Sequence, residues 1–400
     1  MIRKGLLEIM IDTQLKGNAL TVFLKGRINS ANISAIESEI NKAIASHPSE
    51  GLILDCSGLE YLSSAGLRTV LRLRKAFKNF KVINVLPDVY DIFEMTGFTE
   101  MMDVRKAYRE LSVEGCEIIG EGANGKVYRI DAETIVKVYE SSESVDDIQR
   151  ERELARKAFV KGIPTAISYD VVKVGDCYGS VFELLNAKSL ASILINHPGK
   201  LDELVRQFVD LLKTIHATEF SPGELPSAKH QTLKRIELLK PFLPETDYDK
   251  LCALVSAVPD SCRMIHGDYH MKNIMLQGNE AMLIDMDTIC VGNPIFELGH
   301  MYNSLVGYSD VCRDNVKEFL GISYETAQKF WNMALRYYLG TDDESVIRSV
   351  ENKAKIIGYS RVMNRFIRHG GMDTLRSRAE IENCQKQFAR LLPQINALAL

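Results

Sequence analysis

The chain is predicted to be an α/β and α+β protein, in which a small N-terminal mixed sheet with helices precedes a larger two-lobed unit. Three observations carry this expectation. Strand-like and helical runs alternate over residues 1–110, a glycine-rich hairpin pattern opens the next segment, and beyond Leu190 almost every stretch repeats at the helical period. The expected boundaries are 1–110 for the first domain, 113–186 for a strand-rich lobe and 187–400 for a helical lobe.

In the first segment LTVFLKG, GLILDC and FKVINV read as strands. INSANISAIESEINKAIASH, SAGLRTVLRLRKAF and VYDIFEMTGF read as the helices between and after them. In the second, CEIIGEGANGKVYRI and ETIVKVYE read as antiparallel strands with a glycine turn, and SVDDIQRERELARKAF as a helix. Hydrophobic residues make up 46% of the 400 and charged residues 26%, ordinary values for two or three globular domains with a sizeable core. A net charge of -4 and a pI near 6.1 give no global attraction to nucleic acid or to an anionic membrane, and neither is expected as a partner. The opening MIRKGLLEIMIDTQLKG has too short an apolar run for a signal peptide, and no stretch reaches the roughly 18 apolar residues of a membrane span, so a cytoplasmic protein is expected. The eight cysteines form no C-x-x-C pair, which suits reduced core thiols better than disulfides or zinc.

The chemistry gathers in IHGDYHMKNIM at 265–275 and LIDMD at 283–287. Phosphoryl transfer from ATP asks for Mg²⁺ held on the β/γ-phosphates and a carboxylate beside the incoming hydroxyl. Asp268 and Asn273 stand five positions apart, the interval of H-R-D-x-x-x-x-N, and Asp285 after AMLI occupies the place of the DFG aspartate. Asp268 is therefore the expected catalytic residue, and Asn273 and Asp285 are hard oxygen donors for Mg²⁺. Upstream, Gly120, Gly122, Ala123, Asn124, Gly125 and Val127 lie within G-x-G-x-x-G-x-V, a phosphate clamp, although a glycine hairpin accounts for that string equally well. A strand follows it rather than a helix, which disfavours a dinucleotide fold. Lys137 in TIVKVYE resembles the strand lysine that reaches the α/β-phosphates. Glu151 and Glu153 are the candidate partners for it, about 200° apart on a helix. Glu153 is preferred, because Leu154 and Ala158 continue its face inward. In YGSVFELLNAKSL an adenine would pair with backbone near Glu183 and Leu185. Singly these residues have ordinary readings: an edge-strand lysine, a turn asparagine, a capping aspartate. Their joint order and spacing favour a kinase-like fold.

Residues 113–400 resemble the aminoglycoside phosphotransferase and choline kinase-like family, which shares the protein-kinase fold. HGDYHMKNIM is similar to its HGD-x-H-x-x-N, and LIDMDTICVGNPIFELG to its I-D-W-x-x-x-x-x-G-D-P-x-x-D-L-A, with Asn293 and Glu297 where the family usually has Asp. The resemblance implies a structural His270. Eleven residues separate Asp285 from Glu297, with no APE motif and no room for an activation loop, which favours small-molecule acceptors. The family's cationic substrates call for acidic pockets. Here Lys353, Lys355, Arg361, Arg365, Arg368, Arg376 and Arg378 stand against Glu351 and Asp373 alone, with three of the arginines on one helical face. A solvated basic face or a docking surface is the plainer expectation for them.

Residues 1–110 resemble a STAS domain, the fold of bacterial anti-sigma factor antagonists, through LTVFLKGRINSANI, LILDCSGLEYLSSAGLRTVL and EMTGFTEMMDV. Ala65 stands where the antagonists carry their switch serine, and Ser63 and Ser64 read as ordinary helix caps in preference to a phosphate on Ser64 at the helix start. The expectation is an ATP- and Mg²⁺-dependent kinase of a small hydroxylated molecule, with a STAS module that binds or regulates and offers a route to a protein partner. A protein Ser/Thr kinase of a partner-switching pathway and a non-catalytic nucleotide-binding scaffold are the alternatives.

Overall fold

The computed structural model describes residues 11–122, 125–140, 145–278 and 280–400. The chain divides into two compact units, Met1–Ser112 and Val113–Leu400.

In the first unit five strands lie side by side in chain order: Asp12–Lys16, Ala19–Ile28, Gly51–Leu62, Asn79–Val85 and Asp103–Lys106. The first pair is antiparallel across a tight turn, and the other pairs are parallel. Parallel neighbours need crossovers, and the helices Ile33–Ser46, Ser64–Ala76 and Pro87–Met95 supply them. Alternation along the strands sends Leu20, Val22, Leu24, Leu52, Leu54 and Val82 inward, where they meet Ile36, Val70 and Phe93 of the helices. Ser63 caps its helix, its side chain accepting from the Gly66 amide at 3.4 Å. Gly66 has a packing reason as well, since a Cβ there would meet Leu62 Cδ1 at 2.4 Å.

In the second unit five antiparallel strands run in the order Asp170–Val174, Cys177–Glu183, Thr134–Tyr139, Gly125–Arg129, Glu117–Gly122. The helix Val145–Val160 presents Ile148, Leu154, Ala155 and Ala158 as its buried side. Nine further helices of seven or more residues follow among the described residues, around a core that includes Phe208, Tyr269, Phe330, Trp331 and Ile357. Helices Ile295–Leu305 and Glu344–Arg368 pack especially closely, because a Cβ on Gly299 would sit 2.5 Å from Ile357 Cγ2. Two small ladders break the helical run: Met264–Ile265 with Cys290–Val291, and Ile274–Gln277 with Glu280–Leu283. Of the eight free cysteines, Cys56, Cys290 and Cys384 are buried and Cys312 is exposed, so only part of the set forms core thiols. No described helix is long and apolar enough to cross a membrane.

Candidate functional site

The ladder strand Met264–Ile265 delivers the chain into a loop that only glycine can open. Gly267 has φ +83°, and a Cβ there would stand 2.5 Å from the Thr288 carbonyl oxygen. Glu297, fully buried at the start of its helix, holds the loop from below. It accepts from the His266 amide at 2.5 Å and from the Gly267 amide at 3.2 Å. Its longer arm therefore reaches the loop that an Asp would tether, while Asn293, two residues before the same helix, accepts from the Ile295 amide at 3.0 Å. Burial, partly offset by those two amides, pushes the Glu297 carboxyl up to about 7. The far end of the loop closes on itself: Asn273 Nδ2 donates to the Asp268 carbonyl at 3.0 Å, and the Ile284 amide donates to the Asn273 carbonyl at 3.0 Å. A five-residue interval is what lets one side chain staple this turn.

Asp285 adopts φ +64°, one of two described non-glycine residues in the left-handed region. Its Oδ1 lies 2.9 Å from Lys137 Nζ. The second carboxylate on Lys137 is Glu151, whose Oε1 is 3.2 Å from the same ammonium. Glu153 does not orient the lysine, contrary to the expectation from helix periodicity; it turns outward, 67% exposed, and pairs with Lys157 at 3.1 Å. Glu151 Oε2 also accepts from the Tyr139 hydroxyl at 2.9 Å, and that hydroxyl meets Ser180 Oγ at 3.1 Å. Burial works to lower the Lys137 pKa, yet Asp285 and Glu151 together hold it above the ordinary lysine value. The lysine is a fixed cation.

Of the predicted clamp, Gly120 pairs with Val127 and Gly122 with Gly125 across the hairpin, while Ala123 and Asn124 lie outside the described residues. Gly125 has φ +143°, and a Cβ there would overlap the Val138 carbonyl oxygen at 2.0 Å, so hairpin packing alone requires this glycine. Glu183 ends its strand opposite Thr134, and Leu185 follows in the irregular stretch before Lys188–Ser189.

Asp287, two residues beyond Asp285, went unnoticed in the sequence, although its D-x-D spacing was the available signal. The dense protein around it, then the charges of Asp285 and Glu151, push its carboxyl up toward about 7, an upper bound because the side chain is exposed and water screens those charges. Crowded carboxylates beside an asparagine amide are the hard oxygen donors that Mg²⁺ takes, and a dication would relieve the repulsion among them. Among the described residues no three His, Cys, Asp or Glu side chains form a cage of their own. Mg²⁺ as a rule takes one or two carboxylates and completes its shell with phosphate and water. The donor set fits the ion.

Residues 115–330, more than half of the chain, match the phosphotransferase enzyme family, and residues 10–111 match the STAS domain. The chain belongs to the phosphotransferase enzyme family, with a STAS domain ahead of the catalytic unit. A relative of the STAS part is BtrV of Bordetella bronchiseptica, named as an anti-sigma factor antagonist. It is 36% identical over 89 residues, which is 21% of this chain and 76% of that protein. Among solved structures, ADP-bound aminoglycoside phosphotransferase APH(2'')-Ib aligns with a TM-score of 0.48 at 16% identity, covering 76% of this chain and 98% of that one. An ethanolamine kinase of Plasmodium vivax aligns with a TM-score of 0.45 at 16% identity, covering 69% and 81%.

This phosphotransferase carries one feature at Asp268 that the sequence placed elsewhere. Arg361, expected on a solvated or docking face, donates from Nη1 to the Gly267 carbonyl at 2.6 Å and from Nη2 to Asp268 Oδ1 at 3.1 Å. His270 Nε2 lies 3.4 Å from Asp268 Oδ2, and its ring stands edge-on to Phe319. Burial works to raise the Asp268 pKa, but the His270 hydrogen bond and the Arg361 charge outweigh it and hold the carboxyl well below the usual range. Asp268 is ionised, with its side chain 37% exposed. No local signal separates Arg361 from its neighbours in the sequence, because it meets Asp268 from 93 residues away.

Proposed function

We propose that the Val113–Leu400 unit moves the γ-phosphoryl group of ATP, in the presence of Mg²⁺, onto a hydroxyl of a small molecule, and that the STAS domain is a binding or regulatory module. The observation that carries this is the network in which Lys137 bridges Glu151 and Asp285 while an ionised Asp268 sits on the loop stapled by Asn273. In this reading phosphate oxygens take over the face of Lys137 now turned to Asp285, and the adenine pairs with backbone near Glu183 and Leu185. Asp268 accepts a hydrogen bond from the acceptor hydroxyl and aims its oxygen at the γ-phosphorus. As the new P–O bond forms, the bond to the β-phosphate bridging oxygen breaks, ADP departs, and the hydroxyl proton passes to Asp268. With so low a pKa, Asp268 serves more through orientation than through basicity, which suits a loose transition state in which the proton leaves late. Mg²⁺ held by Asn273, Asp285 and Asp287 would supply charge neutralisation on the phosphate oxygens.

A small acceptor is favoured by the segment between Asp285 and Glu297. Cys290–Val291 is bound into a ladder with Met264–Ile265, and the Gly292 amide donates to the Arg263 carbonyl at 2.9 Å, so little chain is left to present a peptide. Incubation with γ-labelled ATP and Mg²⁺, with and without a metabolite extract, tests this. Label is expected in small molecules; label in protein would favour a protein kinase, and no label a scaffold.

A further inference from the structure

Arginines from two helices gather around the one, Arg361, that holds Asp268. Arg361 grips the catalytic loop, and Arg365 and Arg368 follow it at helical spacing along Glu344–Arg368. The Arg365 guanidinium lies 5.6 Å from the centre of the Tyr308 ring. Arg235 arrives from helix Ala228–Glu237, and its carbonyl accepts from Asn364 Nδ2 at 2.9 Å, which ties the two helices together at this point. Burial, then the like charges of Arg361 and Arg368, bring the Arg235 pKa down to about 10.

The balancing charges are few. Among the described residues only Arg361 of the four has a carboxylate within ion-pair distance, and that is Asp268; Arg235 reaches no more than Gln231 Oε1, at 3.4 Å. Three other carboxylates lie in the neighbourhood, and the first, Glu297, feels Arg361 but spends both oxygens on the His266 and Gly267 amides. Asp310 accepts from the hydroxyls of Tyr302, Tyr324 and Tyr359 and feels Lys355. Glu380 is buried with both oxygens unpaired among the described residues, and burial pushes it up to about 7, so it carries less than a full charge at neutral pH. A merely solvated basic face would suit Arg365 and Arg368, which are exposed. It does not suit Arg361, half-buried and bonded to Asp268, nor Arg235, half-buried beside the charges of Arg361 and Arg368. A half-buried guanidinium without a carboxylate partner, as Arg235 is, is costly unless an anion completes it, and the planar forks of Arg235 and Arg365 match phosphate and carboxylate oxygens.

We propose that the acceptor is itself an anion: a small hydroxyl compound bearing a phosphate or carboxylate group, which Arg235 and Arg365 bind, with Arg368 at the rim, while its hydroxyl faces Asp268. This rests on the phosphotransferase reading above and names its substrate class. The product gains a second anionic group, and ADP leaves as before.

The test offers the full-length protein Mg²⁺, γ-labelled ATP and a panel of hydroxylated phosphate monoesters and hydroxy acids beside neutral polyols, choline and an aminoglycoside. Label is expected in anionic acceptors, and the acceptor KM is expected to rise roughly tenfold or more in Arg235→Gln and in Arg365→Gln, each checked for an unchanged melting transition, as loss of a charge-assisted bond implies. Labelling of a neutral or cationic acceptor in preference to every anion overturns the proposal. Independently of the panel, inorganic phosphate is titrated by calorimetry into the wild type and the Arg235→Gln/Arg365→Gln double variant. Binding to the wild type that is lost in the variant supports the site, whereas equal or absent binding overturns it. Failure of the wild type to bind Mg·ATP in the same calorimeter would instead strike the phosphotransferase reading and leave the phosphate result standing.

Discussion

Replacing Glu151 with Gln separates the observed lysine clamp from its neighbour on the same helix. Glu151 makes two bonds from a site where the paired side chains are 13% and 19% exposed, one to Lys137 at 3.2 Å and one to the Tyr139 hydroxyl at 2.9 Å. Glutamine keeps the shape and a hydrogen bond to Tyr139 but removes the charge, leaving Lys137 to Asp285 alone. A hydrogen bond to a charged group contributes about 1.5–3 kcal/mol, and its loss from the nucleotide-bound geometry corresponds to roughly tenfold to hundredfold weaker Mg·ATP binding. Glu153→Gln removes only an exposed i,i+4 pair with Lys157, worth about 0.3–0.5 kcal/mol, and Mg·ATP affinity should stay within about twofold of wild type. Calorimetric titration of the three proteins with Mg·ATP reads the difference without knowledge of the acceptor. Equal losses in Glu151→Gln and Glu153→Gln, or a loss confined to Glu153→Gln, would refute the assignment of Glu151 to Lys137.

Three further outcomes are expected. Asp268→Asn should lower phosphoryl transfer by about 10²–10⁴-fold while Mg·ATP still binds, and turnover at the wild-type rate would remove Asp268 from the mechanism. ATP affinity in EDTA and in Mg²⁺ should differ for the wild type and much less for Asp285→Ala; the same difference in both would count against Asp285 as a metal ligand. The Asp287 carboxyl is raised in the folded state, so it favours folding below the unfolded carboxylate range and ceases to do so as pH rises through about 7. Solvent around the exposed side chain screens the effect, so Asp287→Asn should raise the melting temperature only slightly at pH 8 without Mg²⁺ and leave it unchanged near pH 4; a gain at pH 4 that vanishes at pH 8 would reverse the argument.

By itself the sequence determined what short-range periodicity can encode. Alternating apolar residues announced the strands Ala19–Ile28 and Gly51–Leu62, and turn residues separated them from helices whose apolar faces repeat at the helical period. The loop from His266 to Asn273 was legible for the same reason, since its closing bond spans only five residues. Gly125 stood out within its motif, but only close approaches, of Gly125 to Val138 and of Gly267 to Thr288, say what requires glycine at these positions. Tertiary structure decided the rest. Which of Glu151 and Glu153 meets Lys137 depends on the rotation of one helix over a strand, and a shift of about 200° is invisible to a pattern in which both neighbours have apolar residues beside them. The tether from Glu297 to His266 crosses 31 residues, and the contact of Arg361 with Asp268 crosses 93. Arg361, Arg365 and Arg368 share one face of a helix in either case. That Arg361 meets Asp268 while Arg365 and Arg368 stay exposed is set by how the helix Glu344–Arg368 packs against Ile295–Leu305 through Gly299 and Ile357, a contact between distant segments that no local pattern contains.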